Sequence, residues 1–363
     1  MILQSFIKKL AFFSGFAVLL TLVACGDKPD GPDPVPEKFI IKAADLSFLP
    51  EIENAGVVFY NRGGQAEEML KTLKDAGMNT VRIRLWKNPA TPHSGFPEVK
   101  AFSAKVRSMG MKVWLTVHYS DTWADPGSQI IPAAWAGLGY YTVKDSLYAY
   151  TSTIVKEINP DFIQIGNEIN HGMMWPQGNL NFLSNFKGLL ESGSNAVRNN
   201  SSNCKIIIHY AGFEEAADFY TQIAGVDYDI IGLSYYPMWH GKNLGLLETT
   251  LDSLGQRFDK EVLIAETAYP FTLGWNDWTN NVVGLEEHLV DGYPATPAGQ
   301  KAFLKEIKKI STAAKKSVGF AYWGGEWVAY KGTQATDGSS YENQAFYDFE
   351  NKALPVIDAY GEY

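Results

Sequence analysis

Two glutamates raise the question of chemistry. An apolar run beginning at Phe162 ends on Asn167-Glu168, and "VLIAET" ends another run on Glu266. A carboxylate is a poor core residue unless it is paired, so each Glu is either half of a structural ion pair or is delivered to a site. Two carboxylates on opposite walls of a cleft suit glycosidic bond hydrolysis: one protonates the leaving oxygen, and the other attacks the anomeric carbon or activates water. A separation of about 5 Å gives retention and one of about 6.5–9.5 Å gives inversion; the sequence leaves both open. Arg82 could hold Glu266 ionised, because a nearby cation favours the carboxylate, and Tyr235 could do the same by donating a hydrogen bond. Asn167 could donate to a sugar hydroxyl. Glu168 would need a raised pKa to act as an acid near neutrality.

Such residues need a scaffold that gathers distant segments. Short apolar runs recur at Phe39–Leu46, Thr80–Trp86, Lys112–Tyr119, Phe162–Glu168, Lys205–Tyr210, Ile230–Tyr236, Val262–Thr267 and Val318–Trp323. Between them lie helical patterns, Glu67–Ala76, Val99–Met109, Val143–Ile158, Leu183–Asn199, Glu214–Ala224, Leu244–Phe258 and Pro297–Lys315, with a last helix near Ala353–Tyr360. Continuous apolar strands alternating with helices predict a parallel sheet covered on both faces. Eight such units predict α/β architecture, a single (β/α)8 TIM barrel over residues 39–363, with the site at the C-terminal ends of its strands. The strand ends do carry polar and aromatic side chains: Asp45, Arg82 with Arg84 and Trp86, His118, Glu168, His209, Tyr235 with Trp239, Glu266, and Trp323 with Glu326 and Trp327. No glycine-rich phosphate loop follows an early strand, which argues against an open doubly wound sheet.

The chain carries a net charge of −9 without a sustained basic run after its leader, which argues against nucleic acid as a partner. Its 10 Trp, 19 Tyr and 20 Phe include several at strand ends, where a ring can stack on a sugar face. Lys8-Lys9 and an apolar run to Ala24 read as an export signal too short to span a membrane comfortably. The run ends in Leu22-Val23-Ala24-Cys25-Gly26, which resembles a bacterial lipobox with Cys25 as the lipidated residue. Residues 1–24 are thus a lipoprotein signal peptide, and 25–38, rich in Pro, Gly and Asp, a flexible spacer. The expectation is an exported, membrane-anchored lipoprotein, on the outer membrane or cell surface, acting as a monomer. Cys204 alone remains, so no internal disulfide is expected.

Six segments, "ADLSFLPEIENAG", "AGMNTVRIRLWKNP", "VHYSDTWADPGSQ", "IQIGNEINHGMMWP", "GLSYYPMWHG" and "IAETAYPFT", occur in order across the domain. Together they resemble glycoside hydrolase family 53, the endo-β-1,4-galactanases, within the clan of retaining (β/α)8 glycosidases. The resemblance implies Glu168 as acid/base, Glu266 as nucleophile, and hydrolysis of internal β-1,4-galactosidic bonds in galactan, the side chain of pectic type I polymers. It places Asp45, Arg82, His118, Asn167, Tyr235 and Trp323 around the central sugar. Trp86, Trp123, Asp125 and Trp239 become contacts further along the cleft. No cofactor is required. Some bacterial members hold calcium in the loop after the seventh strand; here residues 272–284 offer Asn276, Asp277, Asn280 and Asn281, a single carboxylate. A hard cation prefers more, so amides and carbonyls could complete a structural calcium site, but this loop does not support one, and the sequence assigns no metal. The histidines lack zinc-site spacing. The alternatives are a related glycanase acting on mannan or xylan, or a glycan-binding lipoprotein without catalysis.

Overall fold

The computed structural model describes residues 38–362. The leader, Cys25 and all of the spacer except Lys38 lie outside the described residues. Eight parallel strands close into a barrel in chain order: β1 (Ile41–Asp45), β2 (Thr80–Leu85), β3 (Lys112–Val117), β4 (Phe162–Ile165), β5 (Lys205–Ala211), β6 (Ile230–Ser234), β7 (Glu261–Glu266) and β8 (Ser317–Tyr322). The connecting helices are α1 (Met69–Asp75), α2 (Phe96–Ser108), α3 (Tyr140–Ile158), α4 (Leu183–Asn200), α5 (Ala216–Gln222), α6 (Leu244–Phe258) and α7 (Pro297–Ala313). A 3-10 turn, Pro355–Tyr360, takes the place of the eighth helix; its buried Tyr360 hydroxyl donates to the Ala43 carbonyl at 2.9 Å. The short helices Leu49–Asn54 and Pro237–His240, and a two-stranded hairpin of Gly172–Met173 with Gly178–Asn179, lie within loops.

Period-two alternation sorts the strand residues. Outward-facing Val81, Ile83 and Leu85, and their counterparts on the other strands, pack under the helices. Inside the barrel, Ile41, Trp114, Phe162, Ile207, Ile230 and Leu263 form an apolar lower core. Above it the next inward positions turn polar: Asp45 pairs with Arg82, Arg84 with Thr116 and Thr116 with Gln164, and Ser234 lies opposite the small Ala211. That change of polarity within one barrel interior is what makes its upper end a site.

Two irregularities serve closure and function. Gly319 lies opposite Ile41 with φ +135°, and a Cβ there would stand 1.9 Å from the Ile41 carbonyl oxygen, so only glycine lets β8 close against β1. On β7, Leu263 and Ala265 face the inner core, so strict alternation would send Glu266 out toward the helices. A register shift opposite Leu233/Ser234 brings Glu266 level with Ser234, and its carboxylate turns inward.

Candidate active site

The inward polar side chains surround a cavity of about 540 Å³ at the C-terminal mouth, a size suited to a small ligand or one to two sugar rings. Arg82 is its electrostatic centre. Arg82 is 1% exposed, Nη1 lies 2.6 Å from Asp45 Oδ2, and Nη2 lies 2.7 Å from Glu266 Oε1 and 3.0 Å from Asn167 Oδ1. Glu266 Oε2 accepts from the Tyr236 hydroxyl at 2.9 Å. Burial raises the Glu266 pKa, while the Arg82 cation and the Tyr236 hydrogen bond oppose it.

Glu168 faces this assembly from the opposite wall. β4 stops at Ile165, and Gly166 (φ +80°) and Glu168 (φ +47°) turn the chain back on itself, so consecutive Asn167 and Glu168 both line the cavity. One carboxylate oxygen of Glu168, one of Glu266 and a His209 ring nitrogen lie within 4.8 Å of one another. Glu168 Oε1 accepts from the Ser234 hydroxyl at 2.5 Å, and His209 Nε2 stands 2.9 Å from Ser234 Oγ. Gln164 Nε2 and the Glu168 backbone N–H both aim at His209 Nδ1, which makes Nδ1 the acceptor and leaves the ring proton on Nε2, toward Ser234. Burial, aided by Arg82, keeps His209 well below its usual pKa and neutral. Burial and the neighbouring Glu266 charge push the Glu168 carboxyl up to about 8, against the Ser234 hydrogen bond and the Arg82 charge. The two carboxylates therefore differ in environment: Glu168 keeps the proton and Glu266 has the cation.

The same three groups are the metal-ligand cluster that geometry picks out among the described residues. Their atoms are committed elsewhere. Glu266 is paired with Arg82, Glu168 with Ser234, and both His209 nitrogens with neighbours. A divalent ion would have to displace Arg82, so the donor set fits proton transfer and not metal binding.

Of the residues expected from sequence, Asp45, Arg82, His118, Trp123, Asp125, Asn167, Glu168, Trp239, Glu266 and Trp323 line the cavity. His118 accepts from the Ala124 N–H at Nδ1 (3.0 Å), and burial, then Arg84 and Arg82, hold its pKa well below the usual value, so a neutral ring presents its other nitrogen to the cleft. The Asn167 amide donates to the Ala124 carbonyl at 2.8 Å, which fixes its orientation and leaves its second N–H for a ligand. Two expectations are corrected. Tyr235 is fully buried, and its hydroxyl donates to the Gly241 carbonyl at 3.0 Å, away from Glu266. Alternation turns Ser234 and Tyr236 inward and Tyr235 outward, so Tyr236 does what Tyr235 was expected to do. Trp86 forms none of the cavity wall. It packs edge-on against Trp123 at 5.4 Å and lies under the Arg84 guanidinium at 4.3 Å, supporting residues that do.

Arg84, Trp327 and Tyr341 complete the wall. Arg84 is held between aromatic rings, 4.0 Å from the Trp123 centroid, and Trp323 packs against Trp327 (4.8 Å) and Tyr341 (4.5 Å). Tyr341 carried no sequence signal, because it lies far along the loop after β8. Glu326 is 1% exposed, and its Oε1 accepts from the Phe48 N–H at 2.9 Å, which pins the β1 loop. His171 and Trp175 belong to the hairpin region, where Trp175 Nε1 donates to the His171 carbonyl at 3.1 Å; neither lines the cavity.

The loop after β7 holds more oxygen than its own sequence suggests. Asp277 and Glu342, both buried, each keep one carboxylate oxygen without a hydrogen-bond partner, as does the Asn281 side-chain carbonyl. Glu342 reaches this loop from the one after β8 and accepts from the Asn276 N–H at 2.6 Å. Buried, unpartnered carboxylate oxygens are the donor type a hard cation uses.

The sequence profile of glycosyl hydrolase family 53 matches residues 41–360. An arabinogalactan endo-β-1,4-galactanase of Cellvibrio japonicus is 35% identical over 86% of this chain and 88% of its own length. Among solved structures, the GH53 catalytic domain of Ignisphaera aggregans superposes with a TM-score of 0.84 at 34% identity, covering 90% of this chain and 98% of that one. A structure of fungal β-1,4-galactanases gives 0.78 at 28% identity, covering 89% and 100%.

Proposed function

Given that the chain belongs to glycosyl hydrolase family 53 and is a glycoside hydrolase, we propose that it cleaves internal β-1,4-galactosidic bonds of galactan with retention. Glu266 is the nucleophile and Glu168 the acid/base. The observation that carries this is the pair itself: carboxylate oxygens within 4.8 Å of each other, one carboxylate tied to a buried arginine and the other driven toward its protonated form by burial and the neighbouring charge. That spacing suits direct attack and leaves no room for a water between carboxylate and sugar.

In the first step Glu266 Oε2 or Oε1 attacks the anomeric carbon while the Glu168 proton passes to the glycosidic oxygen, and the aglycone leaves. Glu168, now ionised and steadied by Ser234, takes a proton from water. The resulting hydroxide breaks the glycosyl-enzyme ester and releases Glu266 to Arg82. The His209–Ser234 pair supports the ionised form of Glu168 at the moment that form is needed. His118, Asn167, Trp123 and Trp323 supply donors and ring faces for the bound sugar. Proton and nucleophile both come from side chains, so bond cleavage requires no cofactor. For a structural calcium, Asp277, Asn281 and Glu342 are the residues that would hold it, and its chemistry would be to neutralise two buried carboxylates. Cys25 is proposed as the lipid anchor of an exported protein.

Product analysis on linear β-1,4-galactan, β-1,3-galactan, mannan and xylan tests the substrate. The expected result is a ladder of galacto-oligosaccharides from the first polymer only, with the β-anomer formed first. E266Q should fold normally and release no product. Preferred cleavage of mannan or xylan, or near-normal turnover by E266Q, would overturn the proposal.

A further inference from the structure

A parallel barrel has two unlike ends. All eight strands start at one, where the helices also finish, and the site opens at the other. Between the last turn of each helix and the first residue of the next strand, every carboxylate has a lysine or arginine as ion-pair partner, Asp161 with Lys112 at 2.9 Å and Asp259 with Lys316 at 2.7 Å among them. Cations are left over. Lys74, Arg107, Lys156, Arg257 and Lys260 lie in the same stretches and have no ion-pair partner among the described residues. Arg107, Arg257 and Lys260 donate instead to neutral oxygens of Asn159, Thr221 and Tyr228, and Lys74 and Lys156 are exposed. Resting on the Cys25 anchor named above, we propose that this end of the barrel docks on an anionic lipid surface and so holds the catalytic mouth away from it.

A membrane is the occupant that this end fits. The chain enters the barrel here: Phe39, 45% exposed with its ring centroid 5.1 Å from Lys112 Nζ, stands just before β1. A lipid on Cys25 is therefore joined to this end through residues 25–38, no more than about 50 Å of chain even at full stretch. The unpaired cations are also spread around the rim, at the ends of α1, α2, α3 and α6 and just before β7. A flat surface can meet such a spread, whereas a small ligand meets only one of them.

The mouth has the opposite balance. Exposed Glu214, Glu215, Glu286, Glu287 and Asp291, in the loops after β5 and β7, have no ion-pair partner among the described residues, against Lys87, Lys242 and Lys352 in the other mouth loops. An anionic surface therefore attracts one end of the molecule and repels the other. A lysine or arginine beside an anionic leaflet is worth about fivefold in partitioning, so a few of them suffice to orient a barrel already tethered nearby. The cleft then faces outward, where a polymer can reach it.

The test footprints lysines of the mature lipoprotein on vesicles of phosphatidylcholine alone or with about 30% phosphatidylglycerol as the anionic lipid. A membrane-impermeant amine-acylating reagent is scored residue by residue by mass spectrometry. Phosphatidylglycerol should slow acylation of Lys74, Lys156 and Lys260 about fivefold or more and leave Lys242 and Lys331, in the mouth loops, unchanged. Salt at about 0.5 M should restore the rates, because it screens exposed charges. K74E/R257E, at two exposed positions remote from the site, should keep its turnover in solution and lose the slowing at Lys156 and Lys260. Rates indifferent to phosphatidylglycerol, equal slowing at both ends, or slowing that survives the double substitution would overturn the docking face. Loss of the protein from pure phosphatidylcholine vesicles would instead overturn the Cys25 anchor, while the footprint on the anionic vesicles still judges the face.

Discussion

Glu168 works from a strained backbone, a non-glycine residue at φ +47°, which costs on the order of 1 kcal/mol or more. That strain turns two consecutive polar side chains toward one cavity, which an extended strand does not do. The acid role proposed for Glu168 makes a specific demand. E168Q should lose about 10²–10⁴-fold in kcat/KM for galactan, a poor leaving group, but far less in kcat/KM for a dinitrophenyl glycoside, whose departure in the first step needs no proton. Equal losses on both substrates would count against the assignment. Because the acid must be protonated, kcat/KM should fall as pH rises through about 8. Ser234 donates to the charged form of Glu168 and so lowers its pKa. S234A should therefore raise that pKa and carry the alkaline limb to higher pH; a limb that stays put or moves down would show that the hydrogen bond does not tune the acid.

At the scale of elements, function depends on where regular structure is broken. The register shift on β7 turns Glu266 inward, and Gly319 lets β8 close against β1. G319A places a Cβ 1.9 Å from a carbonyl oxygen of a paired strand, at a φ that disfavours any side chain. It should destabilise the barrel by roughly 3 kcal/mol or more, read as a lowered urea midpoint with an unchanged m-value. A midpoint like that of the parent would mean the closure adjusts without cost. The loops after β7 and β8 meet through Glu342. If their buried carboxylates hold calcium, the Tm should rise several degrees with calcium and fall with chelator, and E342Q should abolish the difference. A parent Tm indifferent to both additions would remove the cation from this loop.

For the whole molecule, one barrel brings side chains from eight strand ends to a single mouth, and no helix among the described residues is long and apolar enough to cross a membrane. Membrane attachment is proposed through Cys25. C25S should move the enzyme from the membrane fraction to the soluble fraction and abolish labelling by a palmitate analogue; continued membrane association would assign the anchor elsewhere.

The barrel was legible because strand–helix alternation is a local pattern, repeated eight times with stops at Gly77 and Gly110. The carboxylate pair was legible because charge at the end of an apolar run is costly without a partner, a cost visible in one dimension. Within β6, counting by twos from Ser234 would have chosen Tyr236 over Tyr235. On β7 the same count fails at Glu266, since a register shift arises from pairing with β6 and β8 and leaves no mark in six residues. Tyr341, and Glu342 beside Asp277, were invisible because they arrive on a long loop whose path is set by what it packs against. Sequence alone thus determined the architecture and singled out the carboxylate pair and its cation, since these follow from periodicity and from the cost of burying charge. Which face each side chain takes, and which distant loop completes the wall, was decided only in three dimensions, because strand register and loop packing depend on contacts between segments far apart in the chain.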